Sequence, residues 1–199
     1  MARTKGSVGT ETASLIRATA IRLMVEHGYE AMTLRQLAEA VGIQAGSVYR
    51  YFGAKDKLLA DIMVGHMETV VAHLRACLAD IDDPAARLDA YVDFHIRYHI
   101  EKQAEVFLAT MELRSLGDEP RASVLALRRD YEREVVAILE AGMATGVFTA
   151  SDPKVTAFAI IGMLTSVCQW YRPGGRLGAD DIIVIHRDLV LAAVRPGSR

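Results

Sequence analysis

The chain has 199 residues, 51% of them hydrophobic and 24% charged, and 23 Lys+Arg against 25 Asp+Glu leave a formal net charge of −2. That composition excludes a disordered, collagen-like or disulfide-stapled chain, and the length allows a sizeable core in one or two domains. A near-neutral balance also argues against a nucleic-acid partner, since such domains are usually basic, and that objection has to be examined segment by segment.

Alanine (29 residues) and leucine (19) are the commonest types, and all five prolines fall where helices start or stop, so the predicted fold class is all-α, with no internal repeat. Ile16, Ala20, Leu23 and Met24 share one helix face and Gly28 offers a left-handed stop, which predicts a first helix over about Glu11 to His27. Thr33 and Gln36 form a capping box ahead of Leu34, Leu37, Ala38 and Val41, and Gly42 ends that helix after barely two turns. A third short helix covers about Gln44 to Tyr51 and stops at Gly53. From Lys55 a continuous stripe, Leu59, Ile62, Met63, His66, Met67, Val70, Val71, Leu74, Cys77, Leu78 and Ile81, predicts one long helix ending before Asp82-Asp83-Pro84.

Pro84 behind Asp83 opens a fifth helix with Leu88, Tyr91, Val92, His95, Ile96 and His99 on its face. A sixth runs from about Gln103 to Leu116, broken by Gly117 and Pro120, and a seventh continues to about Thr145. The eighth begins at Pro153, capped by Ser151 or Asp152, and reaches Tyr171. After the turn Arg172-Pro173-Gly174-Gly175 a ninth covers about Ala179 to Val194. Its Ile182 to Ile185 run is β-branched, but with no partner strand in the sequence the helical reading prevails.

Cys77 and Cys168 lack CxxC or Cys/His ligand spacing and lie in apolar helical stretches, which predicts buried thiols in a reducing compartment. Met1 to Thr10 is polar and basic without an apolar h-region, so no secretory signal is read. The apolar stretches Ala157 to Val167 and Ile182 to Ile185 fall short of the ~18 residues a membrane span needs. A cytoplasmic protein with no membrane partner is expected.

Two short helices joined by a tight glycine-containing turn, over about 33–52, have the proportions of a helix-turn-helix, although any small three-helix bundle shares that spacing. The residues are more specific. Gly28, Tyr29, Thr33, Leu34, Arg35, Leu37, Ala38, Val41, Gly42, Ile43, Gly46, Ser47, Val48, Tyr49, Tyr51, Phe52, Lys55, Leu58 and Leu59 together resemble the TetR family of transcriptional regulators over about residues 11 to 60. The resemblance implies a nine-helix TetR-like fold: a flexible basic tail (1–10), a DNA-binding domain (11–57), and a ligand-binding and dimerisation domain (58–199).

The same resemblance implies that Thr33 and Arg35 lie near phosphates, that the recognition helix presents Gln44, Ala45, Gly46, Ser47, Tyr49 and Tyr51, and that Lys55 also meets a phosphate. Hydroxyls and cations suit phosphate contacts, and Gln44 can make a bidentate contact to adenine. Gln44 and Tyr51 stand where the family often has serine and histidine. Ala45 and Gly46 carry no hydrogen-bonding side chain, so thymine methyls or DNA shape must share in the readout. Charge supports the assignment once divided. Residues 1–57 hold eight basic and five acidic residues, net +3, and the remainder holds 15 and 20, net −5.

The eighth and ninth helices are apolar nearly all round and need cover on every side. Burial within one chain is one reading. The other, which the resemblance favours, is a homodimer through helices near 153–171 and 179–194 that sets two heads on a palindromic double-stranded DNA operator. A small-molecule effector pocket is expected among helices four to eight. Met63, Met67, Phe107 and Met111 suit an adaptable lining or plain core. His66, His95 and His99 interrupt apolar stripes as ligand anchors or as hydrogen-bonded core histidines, and the i, i+4 pair His95 and His99 could also grip zinc if a third ligand joined them.

The run Trp170-Tyr171-Arg172-Pro173-Gly174-Gly175 resembles a subgroup of TetR-like regulators of fatty-acid and steroid-ring catabolism, whose effectors are acyl-CoA thioesters; an aromatic clamp at a turn is the alternative. Arg128 and Arg172, among Arg114, Arg121, Arg129 and Arg133, are then candidates for the phosphates of such a ligand. A metal- or drug-responsive regulator and a helical enzyme are the other function classes. The chain has no Walker A loop, GxGxxG, GxSxG or HExxH, and none of its twelve glutamates has a histidine three residues later, so neither a catalytic site nor a cofactor is assigned.

Overall fold

The computed structural model describes residues 5–149 and 152–194, with side chains from residue 9 onward. Among these residues the regular structure is helical throughout: α1 (Lys5–His27), α2 (Leu34–Val41), α3 (Ala45–Phe52), α4 (Lys55–Leu78), α5 (Pro84–Glu101), α6 (Gln103–Met111), a 3-10 turn (Leu113–Ser115), α7 (Asp118–Ala144), α8 (Pro153–Trp170) and α9 (Ala179–Val194). None of the described helices is long and apolar enough to cross a membrane.

The departures from expectation sit at helix ends and have local causes. α1 begins at Lys5, so the second half of the expected tail is helical, while Met1 to Thr4 lie outside the described residues. α4 stops at Leu78 instead of Ile81, because Arg87 of α5 donates one guanidinium nitrogen to the carbonyls of Leu78 (3.1 Å) and Ile81 (2.8 Å) and satisfies the helix end early. α6 stops at Met111, where the chain tightens into the 3-10 turn held by the Ser115 hydroxyl on Glu112 Oε2 (2.7 Å). Pro120 lies within the first turn of α7, where its missing N–H has no intrahelical acceptor to lose. Asp152 caps α8, accepting from the N–H groups of Lys154 and Val155; Ser151, the other expected cap, lies outside the described residues.

The chain divides into two compact units. The first comprises residues 1–66 and 104–124. There α1 packs on α2 and α2 on α3, around Ile16, Ala20, Met24, Leu37, Val48, Leu58 and Leu59. The second comprises residues 67–103 and 125–199, with α5 packed against both α8 and α9 and with Tyr91, Val92, Ile96, Leu164, Val167, Ile183 and Val190 buried.

Each of α8 and α9 buries one apolar face, Ala157, Ile160, Leu164 and Val167 on the former and Ile182, Ile183, Val190 and Val194 on the latter. Each also leaves a second apolar face open, with Val155 63%, Phe158 45%, Val184 53%, Ile185 45% and Leu189 50% exposed. Both cysteines are free, and Cys77 corrects the expectation of burial: it lies on the exposed flank of α4 beside the buried Leu74 and Leu78, whereas Cys168 is half-buried with its thiol on the Thr165 carbonyl (3.0 Å).

Candidate DNA-binding and effector sites

In the first unit, Thr33 adopts the extended conformation of an N-cap and its side chain accepts from the Gln36 N–H at 3.2 Å, while Gln36 Oε1 receives both the Thr33 N–H (2.9 Å) and the Thr33 hydroxyl (2.8 Å). Gly42 takes a left-handed conformation (φ 77°) that turns the chain after α2, and the Ile43 N–H returns to Ala38 O at 2.9 Å. Gln44 then caps α3 in extended conformation without a side-chain bond. The consequence is a short helix that buries Val48 and turns the rest outward. Gln44, Gly46, Tyr49 and Tyr51 are exposed, and Ala45 and Ser47 are half-exposed. Thr33 and Arg35 are exposed at the start of α2.

Two cations tie α4 to this helix pair. Arg17 of α1 makes a bidentate ion pair with Asp61 of α4 (2.5 and 3.1 Å), and its guanidinium lies 5.3 Å from the Phe52 ring centre at the end of α3. Lys55, the first residue of α4, is half-buried; its ammonium donates to the carbonyls of Tyr29 (3.1 Å) and Glu30 (3.2 Å) and stands 4.3 Å from the Tyr29 ring centre. Sequence reading did not anticipate Tyr29, Arg17 or Asp61 in these roles, since backbone carbonyls leave no mark in a sequence and Arg17 and Asp61 are 44 residues apart.

The residues expected to line an effector pocket fall in both units. In the first, Met63 is buried, His66 is half-buried, and Phe107 and Met111 of α6 are exposed. In the second, Met67 is buried and Arg128 half-buried, with desolvation pulling the Arg128 pKa below its usual value. There too His95 and His99 come together as face-to-face rings 3.7 Å apart and 5° from parallel. His95 Nδ1 lies 3.0 Å from the Tyr91 hydroxyl and 2.7 Å from that of Tyr131, and its Nε2 lies 3.0 Å from Thr165 Oγ1. His99 Nδ1 donates to the His95 carbonyl at 2.7 Å.

Burial holds His95 well below the ordinary imidazole range and lowers His99 to about 4, so both rings are neutral at physiological pH. Neutral His99, with its proton on Nδ1, keeps Nε2 as an acceptor. Ring-nitrogen lone pairs lie in the ring planes, so parallel stacked rings do not converge on a shared ion. Among the described residues no group of three or more His, Cys, Asp or Glu side chains gathers to hold a metal ion. Tyr91 is legible as a neighbour of His95 on one helix stripe, but Tyr131 and Thr165 lie 36 and 70 residues from it and carried no signal.

Trp170 and Arg172 meet at the α8–α9 turn. Trp170 is exposed and stacks on His186 (6.3 Å between ring centres), and Arg172 donates to the carbonyls of Gln169 (3.2 Å) and Tyr171 (2.8 Å) at the end of α8. Trp170, Tyr171, Arg172, Arg176, Leu177 and Ile182 line an open depression of about 290 Å³.

Comparison with known proteins gives this geometry a context. Residues 16–62 match the family described as bacterial regulatory proteins, tetR family, and residues 81–194 match the tetracyclin repressor-like C-terminal domain. The HTH-type transcriptional repressor KstR2 of Mycobacterium tuberculosis is 26% identical over 196 residues, covering 98% of each chain. Among solved structures, the TetR family regulator PfmR of Thermus thermophilus is 31% identical with a TM-score of 0.82, covering 89% of this chain and 97% of its own. AibR, solved in complex with isovaleryl coenzyme A and operator DNA, is 26% identical with a TM-score of 0.83 over the same shares.

Proposed function

Because the chain belongs to the TetR family of bacterial regulatory proteins, we propose that it is a homodimeric repressor whose DNA-binding domain is 11–57 and whose residues 58–199 bind an effector and form the dimer. It is a DNA-binding transcriptional regulator and not an enzyme. The observation that carries the reading is the exposed outer face of α3, held by a buried Val48 and by glycine stops on both sides. In this reading Tyr49, Tyr51 and Ser47 give hydroxyls to phosphates or bases, Gln44 reads a base edge, and Ala45 and Gly46 allow close approach to thymine methyls. Arg35 neutralises a phosphate. Both donors of Thr33 are spent on Gln36, so the start of α2 meets a phosphate through the N–H groups of Leu34 and Arg35, which helix geometry leaves without intrahelical acceptors. Lys55, at the first turn of α4, meets a further phosphate.

The exposed apolar faces of α8 and α9 are the dimer surface in this reading, and the two recognition helices then address a palindromic operator in the cytoplasm at a spacing of about 34 Å. The effector is an acyl-CoA thioester. The likeness to AibR supports this, as do the cationic and aromatic depression at Trp170, Arg172 and Arg176 and the neutral polar cluster of His95 and His99, which suits an uncharged carbonyl better than a free carboxylate. Arg128 is a further phosphate contact. Release requires that the effector bind the DNA-incompetent state more tightly, by the factor through which it weakens operator binding.

Two measurements test the proposal. A duplex selected by the protein from a randomised pool should be bound about tenfold more weakly by Tyr49→Ala; unchanged affinity would put the reading face elsewhere. In a thermal-shift panel, acyl-CoA thioesters should stabilise the protein, and stabilisation only by free acids or drugs would reject the CoA assignment.

A further inference from the structure

Two polar groups, at the end of α5 and the start of α6, are left unpaired among the described residues. The first is the side-chain amide of Gln103, whose nitrogen is buried and makes no hydrogen bond. The second is the far edge of the His99 ring, on a residue only 9% exposed. His99 Nδ1 gives its proton to the His95 carbonyl at 2.7 Å, which leaves Nε2 as a lone-pair acceptor that no described donor reaches. The stack on His95 fixes the plane of the ring. His99 and Gln103 stand four residues apart, on either side of Lys102 where α5 ends, and both belong to the second unit. Buried donors and acceptors are seldom left unmade in folded proteins because the loss is not repaid by water, so a partner from outside the chain is called for.

The chemistry of the pair is selective. A glutamine amide nitrogen only donates, and the Nε2 of neutral His99 only accepts. Burial lowers His99 to about 4, so at physiological pH the ring does not become a second donor. The complementary group is therefore neutral and carries both an acceptor and a donor. A carboxylate or phosphate brings no proton for Nε2, an ammonium brings no lone pair for Gln103, and a thioester carbonyl alone satisfies only Gln103. A secondary amide satisfies both. We propose that His99 and Gln103 form a subsite for a neutral amide of the effector, which in an acyl-CoA thioester is an amide of the pantetheine arm. This subsite rests on the effector reading above and adds which part of the ligand the pair holds: the arm common to all CoA thioesters, not the acyl group that distinguishes them.

The experiment compares the full-length protein with Gln103→Leu and with His99→Phe, which keeps an aromatic face for His95. Without ligand, Gln103→Leu should melt about 2–4 °C higher, because it removes an unpaired buried group. A lower melting temperature would show that the amide is bonded within the protein and would overturn the proposal. Binding is then measured by calorimetry with pantetheine, which has the amides without the phosphates or an acyl group, and with butyryl-CoA and 3-hydroxybutyryl-CoA. Both variants should bind all three probes about tenfold more weakly than the wild type. A loss confined to 3-hydroxybutyryl-CoA would assign the pair to an acyl hydroxyl and overturn the amide subsite, as would equal affinity of wild type and variants for every probe. If pantetheine binds and neither thioester does, the effector reading falls while the amide subsite stands; if none of the three binds, both fall.

Discussion

Gly142, near the end of α7, sits where no side chain fits: a Cβ there would lie 1.9 Å from Cδ2 and 2.4 Å from Cε2 of Phe148, a ring 3% exposed. Phe148 folds back over the helix end and its N–H bonds to Gly142 O at 3.0 Å. Alanine normally gains about 1 kcal/mol over glycine inside a helix, but a buried ring has little room to give. Gly142→Ala should therefore lose about 2 kcal/mol in urea denaturation despite the better helix former. The stacked histidines set a pH dependence of known sign. Burial lowers His99 from 6.5 to about 4, so between those values the unfolded chain binds the proton and the folded chain does not. Stability should be full above pH 6.5 and fall by about 3 kcal/mol as pH drops towards 4, with His95 acting in the same direction. His99→Gln should cut the steepness of the melting temperature over that window by about half, His95 keeping the remainder; an unaltered profile would place the titration elsewhere. The sequence marked both histidines as interruptions of an apolar stripe. It could not mark Tyr131 and Thr165, because they reach His95 only through the packing of α7 and α8 on α5.

Helices with strong local signals were legible nearly to the residue. α2 is eight residues long, too short to persist alone, and its limits follow from the Thr33–Gln36 box and from Gly42. Thr33→Ala should thus cost about 1 kcal/mol of stability by denaturant titration, and it should weaken operator binding further because the frayed turn is the one proposed to meet a phosphate. Gly53 and the Asp83-Pro84 pair were legible for the same reason, as was Asp152 as one of two caps read for α8: each satisfies or terminates backbone groups through its own side chain or conformation. Illegible ends are those decided from another element. The stripe of α4 continues to Ile81, but Arg87 of α5 takes the carbonyls of Leu78 and Ile81 and ends the helix at Leu78. Glycine in the sequence at Gly6 and Gly9 obscured the start of α1, which runs through both.

For the whole molecule, the near-neutral charge is the average of a basic stretch over residues 1–57, net +3, and an acidic remainder, net −5, so the proposed dimer would offer DNA two basic stretches. Affinity then depends on holding both heads at one spacing, since a short tether raises the effective concentration of the second head and can strengthen binding by about 10²-fold or more. The faces proposed to make that tether are already exposed in the single chain, at Phe158 on α8 and at Ile185 and Leu189 on α9. Charges placed there should leave the core of each chain intact while burying at a cost only in the dimer, where each would meet its symmetry mate. Phe158→Glu combined with Leu189→Glu should sediment at the mass of one chain at concentrations where the wild-type protein sediments at two, with its helical circular dichroism kept. Operator affinity should fall by about 10²-fold, because each head then binds a half-site alone. A variant that remains at twice the chain mass would move the interface off α8 and α9, and one that is monomeric yet binds as tightly as the wild type would mean that a single head carries the recognition.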